Sequence, residues 1–457
     1  MTDRKDILIV CPQSVIPAWG KQIAEQRQKT PWEHQRAAAA WSSSRRGAML
    51  SLDMGTGKSL VALMVINQPG IETVLLNGSG GTKAKAALMV KTVVSRDWSN
   101  PTQPIAVVIN YDSVWRGGLA SAIASHPWAW IVLDESHRIK SPGGRASRWL
   151  ANLAQRNPLA RLLCLTGTPM PHSPLDLYGQ FRFLDPSVFG TSFARMRARY
   201  ADCDPRYPSK VRRWLRQDEI ASLLSQNSFR VTADEVLDLP DSLHEVLPVQ
   251  LTAKTRKFYN DLERDMVATI AQGTVIAANA LTQLLRMQQA TSGYATTEDG
   301  KFPIDGESEK EAVLADWMDD LPHSEPIVVF CRFRSDLDAV RRVCEKQKRA
   351  ASELSGRQNT LEQWQAGETS VLAVQIQSGG VGIDLTRSAY CVYYSIGFSL
   401  GDYEQSLARL RRPGQTRCVR YYHLVATKTV DELVYKALDE RRSVIDAVLQ
   451  DIQQVKA

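Results

Sequence analysis

The chain has 457 residues, too many for one ordinary core, so two or three domains are expected. Hydrophobic content of 44% and charged content of 23% are those of a globular protein, and no apolar run reaches the length of a membrane span. The net charge of +7 and pI near 9.0 tilt toward a polyanionic partner, although a basic surface is as often merely solvated.

The opening MTDRKDILIV has too few apolar residues before it turns charged to read as a secretory signal. The seven cysteines form no CxxC pair, and most sit in apolar runs such as LLCLTG. They read as buried reduced thiols, which fits a reducing cytoplasm, the host's if the source is viral. In chain order the first half offers strand candidates ILIVC (7–11), AMLSL (48–52), TVLLN (73–77), IAVVIN (105–110), WIVLD (130–134) and LLCLT (162–166). Each is nearly continuously apolar, as strands buried on both faces must be. Amphipathic stretches between them predict an α/β fold with parallel sheets.

AMLSL runs into DMGTGKS (53–59). Gly55, Thr56 and Gly57 form a turn that brings backbone N–H groups to phosphate at a helix start. Lys58 would bind the β/γ-phosphates of ATP, and Ser59 would hold Mg²⁺. LDESH (133–137) ends a strand with two carboxylates: Asp134 would complete the Mg²⁺ shell, and Glu135 would orient and deprotonate the attacking water. LTGTP (165–169) closes the next strand.

A polar, arginine-rich stretch over about 185–240 reads as an insertion ending in a boundary at LDLPDS. From Thr252 to Thr291 the period turns helical, with Phe258, Leu262 and Met266 on one face and Leu281, Leu284 and Leu285 repeating it. GYATTEDGKFPIDGES (293–308) looks like an inter-lobe linker. Strand–helix alternation resumes with IVVFC (327–331), VLAVQ (371–375), CVYYS (391–395) and YYHLV (421–425), before a terminal helix from Asp431. QSGGVGIDL (377–385) follows a strand, and QSLARLRRPGQ (405–415) spaces Arg409 and Arg412 three apart, on one face if the segment is helical. Fixed guanidinium groups suit the charge that develops on a γ-phosphate.

Singly, each motif has an ordinary reading as a turn, an acidic strand end or a solvated arginine run. Their order decides otherwise: a phosphate loop, DESH, TGTP, GGVGIDL and RxxR together resemble helicase superfamily 2, and its Snf2 branch in particular. That resemblance covers nearly the whole chain and implies two RecA-like P-loop lobes with parallel sheets plus a Snf2-type helical insertion. The expected divisions are lobe one over 1–245, helical insertion and linker over 246–300, and lobe two over 301–457. It further implies that Gln35 of PWEHQ reads the adenine with Trp32 beside it. Gly382 and Asp384 join the ATP site, and Arg409 and Arg412 meet ATP in an inter-lobe cleft. Nucleic acid would lie along Gln13, Ser14, Thr168, Ser378 and Gly379, mainly through backbone phosphates. Arg411 and Asp384 depart from the His and Asn common in this branch.

The implied activity is an ATP-dependent DNA translocase or helicase that acts as a monomer on duplex or forked DNA, similar to compact phage-type helicases. RNA or single-strand unwinding, and an ATP-gated nucleic-acid clamp with slow hydrolysis, remain the alternatives. One segment is out of order. ILIVCPQSVIPAW (7–19) looks like the strand and turn that follow the phosphate-loop helix in Snf2 proteins, yet precedes that loop here. A permuted chain predicts Ile7–Cys11 as a parallel strand inside the first sheet, ended by Pro12. A chance apolar run predicts otherwise.

Overall fold

The computed structural model describes residues 5–25, 30–67, 71–76, 85, 87–89, 104–171, 173–205, 211–271, 277–297, 300–376 and 383–440. The chain divides into two compact units, Met1–Asp238 and Leu239–Ala457. Each is built on an all-parallel sheet of the RecA-like type, as expected.

The first sheet has seven strands in the order β3-β4-β1-β5-β6-β2-β9. These are β1 (Ile7–Cys11), β2 (Gly47–Leu52), β3 (Glu72–Leu76), β4 (Ile105–Asn110), β5 (Trp130–Asp134), β6 (Arg161–Thr166) and β9 (Ser228–Val231). The out-of-order strand β1 lies between β4 and β5, parallel to both, with Leu8 opposite Val107 and Ile131. All five of its residues are fully buried, and it stops where Pro12 removes a donor. Its start is fastened by Asp6, which accepts from the Ile105 amide at 2.9 Å and lies 3.0 Å from His126 Nε2. This is the outcome the permuted reading predicts.

The second sheet runs β10-β17-β16-β13-β15-β14. Its strands are β10 (Ser242–Val249), β13 (Ile327–Cys331), β14 (Ala351–Leu354), β15 (Val371–Gln375), β16 (Tyr390–Tyr393) and β17 (Val419–Ala426). Along β13, Val328 and Phe330 enter one core while Ile327, Val329 and Cys331 enter the other, so both faces are covered. Helices Ala253–Ala271 and Ala277–Thr291 supply Tyr259, Met266, Leu284 and Met287 to the first of these cores.

Three expected divisions need correction. The arginine-rich stretch over 185–240 is not wholly an insertion, because β9 within it pairs with β2 as the sheet's edge strand. Lobe one does not reach 245, because β10 pairs with β17 along its whole length in the second sheet. The segment 293–308 is no inter-lobe linker; β11 (Tyr294–Thr297) and β12 (Gly300–Pro303) form a hairpin inside the second unit. The remaining hairpin, β7 (Ala201–Cys203) with β8 (Val211–Trp214), belongs to the first unit.

The last residue of the helical insertion, Thr291, meets a buried ion pair of the second unit. Lys310 Nζ donates to Asp431 at 2.7 Å and to the Tyr394 carbonyl at 3.2 Å, and Thr291 donates to the same carboxylate. Removing one partner strands the other charge in the core, so Lys310→Met is expected to cost on the order of 3–5 kcal/mol of stability. Denaturant unfolding measures it, and a loss below about 1 kcal/mol would show that Asp431 is satisfied without the lysine.

Candidate active site

A parallel sheet delivers the carboxyl ends of its strands to one edge, where ligands bind in open α/β folds. In the first unit that edge collects the turn after β1, the phosphate loop after β2, DESH after β5 and TGTP after β6. Gly55 and Gly57 have φ of 84° and 87°, a region that side chains disfavour. A Cβ on Gly57 would also stand 2.2 Å from Gln35 Nε2. Helix Lys58–Ile66 starts directly after this turn, with Lys58 and Ser59 in its first turn. Lys58 Nζ donates to the Leu52 carbonyl at 3.0 Å, folded back over the loop.

Gln35 is bonded to the phosphate loop. Its Nε2 donates to the Thr56 carbonyl at 2.9 Å, while Oε1 accepts from the Trp32 amide at 2.9 Å. Trp32 is 43% exposed, with the His34 ring 5.5 Å away, so an apolar face stands open beside the glutamine.

Asp134 and Glu135 are both buried. Asp134 Oδ1 accepts from the Glu135 amide at 3.0 Å, and Oδ2 accepts from Trp19 Nε1 at 2.9 Å. Tyr111 donates to the Asp134 carbonyl at 2.9 Å. Burial and the neighbouring Glu135 push the Asp134 carboxyl up to about 6, partly offset by Lys58 and the Trp19 indole. A buried carboxylate of this kind and the Ser59 hydroxyl are hard oxygen donors that fit Mg²⁺. Among the described residues no group of three His, Cys, Asp or Glu side chains could hold a metal.

The folded protein binds a proton at Asp134 more tightly than the unfolded chain does, so stability falls as pH rises from about 4 through about 6. Asp134→Asn should therefore stabilise the nucleotide-free protein at pH 7.5 by roughly 1–3 kcal/mol, with the gain shrinking below about pH 6. Melting curves across that range test it; a pH-independent difference would mean the ionised carboxylate carries no such penalty.

Glu135 has φ of 53°, a strained left-handed backbone for a residue with a side chain. His137 Nδ1 lies 3.4 Å from Glu135 Oε2 and 3.2 Å from Thr166 Oγ1. Burial lowers the His137 pKa, partly offset by Glu135, and so favours the neutral ring. Thr166 Oγ1 in turn accepts from the Thr168 amide at 3.2 Å, so that amide is engaged inside the turn. Ser136 donates to Gln180 at 2.7 Å, and Gln180 donates to the Pro169 carbonyl at 2.7 Å, a second tie between DESH and TGTP. Helix Leu177–Leu184, which carries Gln180, approaches so closely that a Cβ on Gly179 would stand 1.9 Å from the Ile139 carbonyl.

Gln13 and Ser14 are exposed on a 3-10 turn at the same edge. Trp19, Tyr111, His137 and Gln180 were not singled out from the sequence as site residues. Trp19, at the end of ILIVCPQSVIPAW, and His137, inside DESH, lie in motifs the sequence shows; Tyr111 and Gln180 do not.

In the second unit, Ser378, Gly379 and Gly382 lie outside the described residues. Asp384 is exposed and accepts from the Thr386 amide and hydroxyl at 2.9 and 2.7 Å, capping a turn. Arg409 and Arg412 do not share a helical face. Helix Leu400–Leu410 ends before Arg412, as Pro413 disfavours helical backbone at the residue before it. Arg409 is buried, and Arg412 Nη1 donates to the Ile383 carbonyl at 3.1 Å. Gln415 Nε2 donates to the carbonyls of Thr386 and Ser388, so the segment after GGVG and the RxxR segment are joined. Arg411 Nε donates to the Pro240 carbonyl at 2.9 Å, a structural role for the residue that departs from the family pattern.

Two family models match the chain: the SNF2-related domain over residues 101–293 and the helicase conserved C-terminal domain over residues 309–414. Putative protein p41 of Acyrthosiphon pisum secondary endosymbiont phage 1 is 25% identical over 394 residues, 82% of this chain and 81% of that protein. The DNA annealing helicase and endonuclease ZRANB3 of Bos taurus is 25% identical over 347 residues, 72% of this chain but 31% of its own length. The chain thus spans most of the phage protein and about a third of the longer relative. The solved Sulfolobus solfataricus SWI2/SNF2 ATPase core in complex with dsDNA shares 20% identity, with 91% of this chain and 92% of that one covered at a TM-score of 0.37. Among the described residues no helix is long and apolar enough to cross a membrane. With both domains present in order, the chain belongs to the Snf2-like ATPases of helicase superfamily 2.

Proposed function

We propose that this protein is a DNA-stimulated translocase that moves along duplex or forked DNA at the cost of ATP. The observation that carries the reading is the chain of close polar contacts from Glu135 through His137 Nδ1 and Thr166 to Thr168. It links the carboxylate read as the water-activating base to a turn on the expected nucleic-acid path. A polymer that shifts this turn would move Glu135 with it, and hydrolysis would then respond to DNA. The name of ZRANB3, a DNA annealing helicase, and the chain's net charge of +7 favour DNA as the polymer.

In this reading Lys58 and the loop amides bind the ATP phosphates, while Gln35 and Trp32 receive the adenine. Ser59 and Asp134 would hold Mg²⁺, which supplies charge neutralisation on the phosphates. Glu135 takes the proton of the attacking water. Arg412, which keeps donors for an anion, is the second unit's candidate for the charge that develops on the γ-phosphate.

The test is the ATPase rate alone and with single-stranded DNA, duplex DNA, forked DNA or RNA, with Lys58→Ala as the inactive control. Duplex or forked DNA should stimulate most. Equal rates with and without DNA, or stronger stimulation by RNA, would overturn the DNA assignment. A rate that stays slow with saturating DNA would favour a clamp.

A further inference from the structure

We infer that the helix Phe193–Tyr200 and the β7–β8 hairpin form an auxiliary DNA-backbone contact, with Arg195, Arg197 and Arg213 as its phosphate-binding residues. The inference rests on the DNA reading above and adds a surface that no motif of the site supplies.

Its first support is the distribution of charge. Residues 193–216 hold eight Lys and Arg against two Asp, a net of +6 out of the chain's +7. The rest of the molecule is close to neutral. Arg206 and Lys210 of this stretch lie outside the described residues, so the surface is argued from the arginines on the helix and on β8 alone.

The second support is how those arginines are occupied. Arg199 and Arg216 pair with Glu219 at 2.7 and 3.6 Å, and Arg212 pairs with Asp204 at 3.1 Å. Arg195, Arg197 and Arg213 make no side-chain hydrogen bond or ion pair among the described residues. Arg195 and Arg213 are exposed and Arg197 is half-buried. Ion pairs thus fix the frame while three guanidinium groups stay available to an anion.

The third is rigidity and placement. Met196 and Tyr200 are buried in the first unit's core, and Phe193 packs edge-on against Tyr178 at 5.3 Å. Tyr178 donates to the Thr191 carbonyl at 2.8 Å, and the Leu215 amide donates to the Tyr200 carbonyl at 2.8 Å, closing the hairpin onto the helix. The helix packs against the 3-10 turn Pro174–Asp176, and Gln180 binds both Asp176 and Pro169 through their carbonyls. The basic surface is therefore rooted on the element that supports the TGTP turn. Arginine on an ordered support with no internal partner suits phosphate, which takes two parallel donors from one guanidinium.

The test compares the wild-type protein with R195Q/R197Q/R213Q and with R195K/R197K/R213K, reading duplex DNA binding by fluorescence anisotropy across salt. Three lost phosphate contacts should flatten the slope of log affinity against log salt by about 2.7. Between about 50 and about 200 mM salt the wild type should then lose about fortyfold more affinity than the glutamine variant. The lysine variant should restore the slope, which a merely structural role would not predict. DNA-free ATPase and the rate at saturating DNA should be unchanged, while the DNA concentration for half-stimulation rises. A glutamine variant that matches wild-type affinity and slope overturns the inference and leaves the DNA reading standing. A wild-type protein that binds no duplex DNA at low salt overturns both.

Discussion

Glu135→Gln is expected to slow ATP hydrolysis by about a hundredfold to ten-thousandfold while leaving nucleotide affinity near wild type, the range spanned by a positioned general base. The substitution is isosteric and keeps a polar amide where the carboxylate oxygen sits 3.4 Å from His137. Left-handed backbone at Glu135 is imposed by the strand end and the following 3-10 turn, Ser136–Ile139, so glutamine inherits the same strain and direction. What it lacks is the capacity to take a proton. The loop contacts of Lys58 and Gln35 do not involve this side chain. Single-turnover hydrolysis with a separate binding titration distinguishes the terms. Weakened binding with normal turnover would reassign Glu135 to ground-state contact, and unchanged kinetics would remove it from the chemistry.

What was legible in the chain follows from where each residue sits. Central strands such as β1, β5, β6 and β13 are buried on both faces, and their runs ILIVC, WIVLD, LLCLT and IVVFC show it directly. The sheet strands that went unread, β9, β10 and β14, are all at sheet edges. SFRV and SLHEVLPV carry Arg, His and Glu because an edge is only partly covered, and ASEL buries Ser352 and Glu353 against Thr369 and Arg357; both erase the apolar signature. Misplacing β10 then shifted the domain boundary, since its partner β17 lies 177 residues away in sequence, Ser242 facing Val419.

The site shows the same division. Lys58, Asp134 and Glu135 sit in local motifs whose spacing expresses their chemistry. Trp19 reaches Asp134 across 115 positions, and Gln180 reaches Ser136 across 44. Such pairs depend on which strands become neighbours. Trp19 reaches Asp134 because β1 pairs with β5. In a chain with this segment order, the indole that donates to Asp134 lies ahead of the phosphate loop rather than behind it.

Arg412→Ala tests the second unit's part in the reaction, and should lower turnover by about a thousandfold with little change in ATP affinity. Arg412 leaves the helix at the residue before Pro413, so its side chain is aimed by the loop instead of the helical face it would have shared with Arg409. One hydrogen bond, Nη1 to the Ile383 carbonyl at 3.1 Å, holds it, while the buried Nε has no partner among the described residues. A guanidinium held by one neutral carbonyl keeps donors for an anion, and charge-assisted bonds are about twice as strong as neutral ones. Losing the Ile383 bond alone costs about 1 kcal/mol of stability, too little to silence an enzyme that remains folded. Arg412→Lys separates charge from shape: it keeps the cation but loses the planar fork, and should recover only part of the lost rate. Steady-state turnover and nucleotide dissociation constants for both variants decide the matter. A large binding defect with unchanged turnover would make Arg412 a ground-state phosphate ligand, and wild-type kinetics would leave it as a tie between two loops of the second unit.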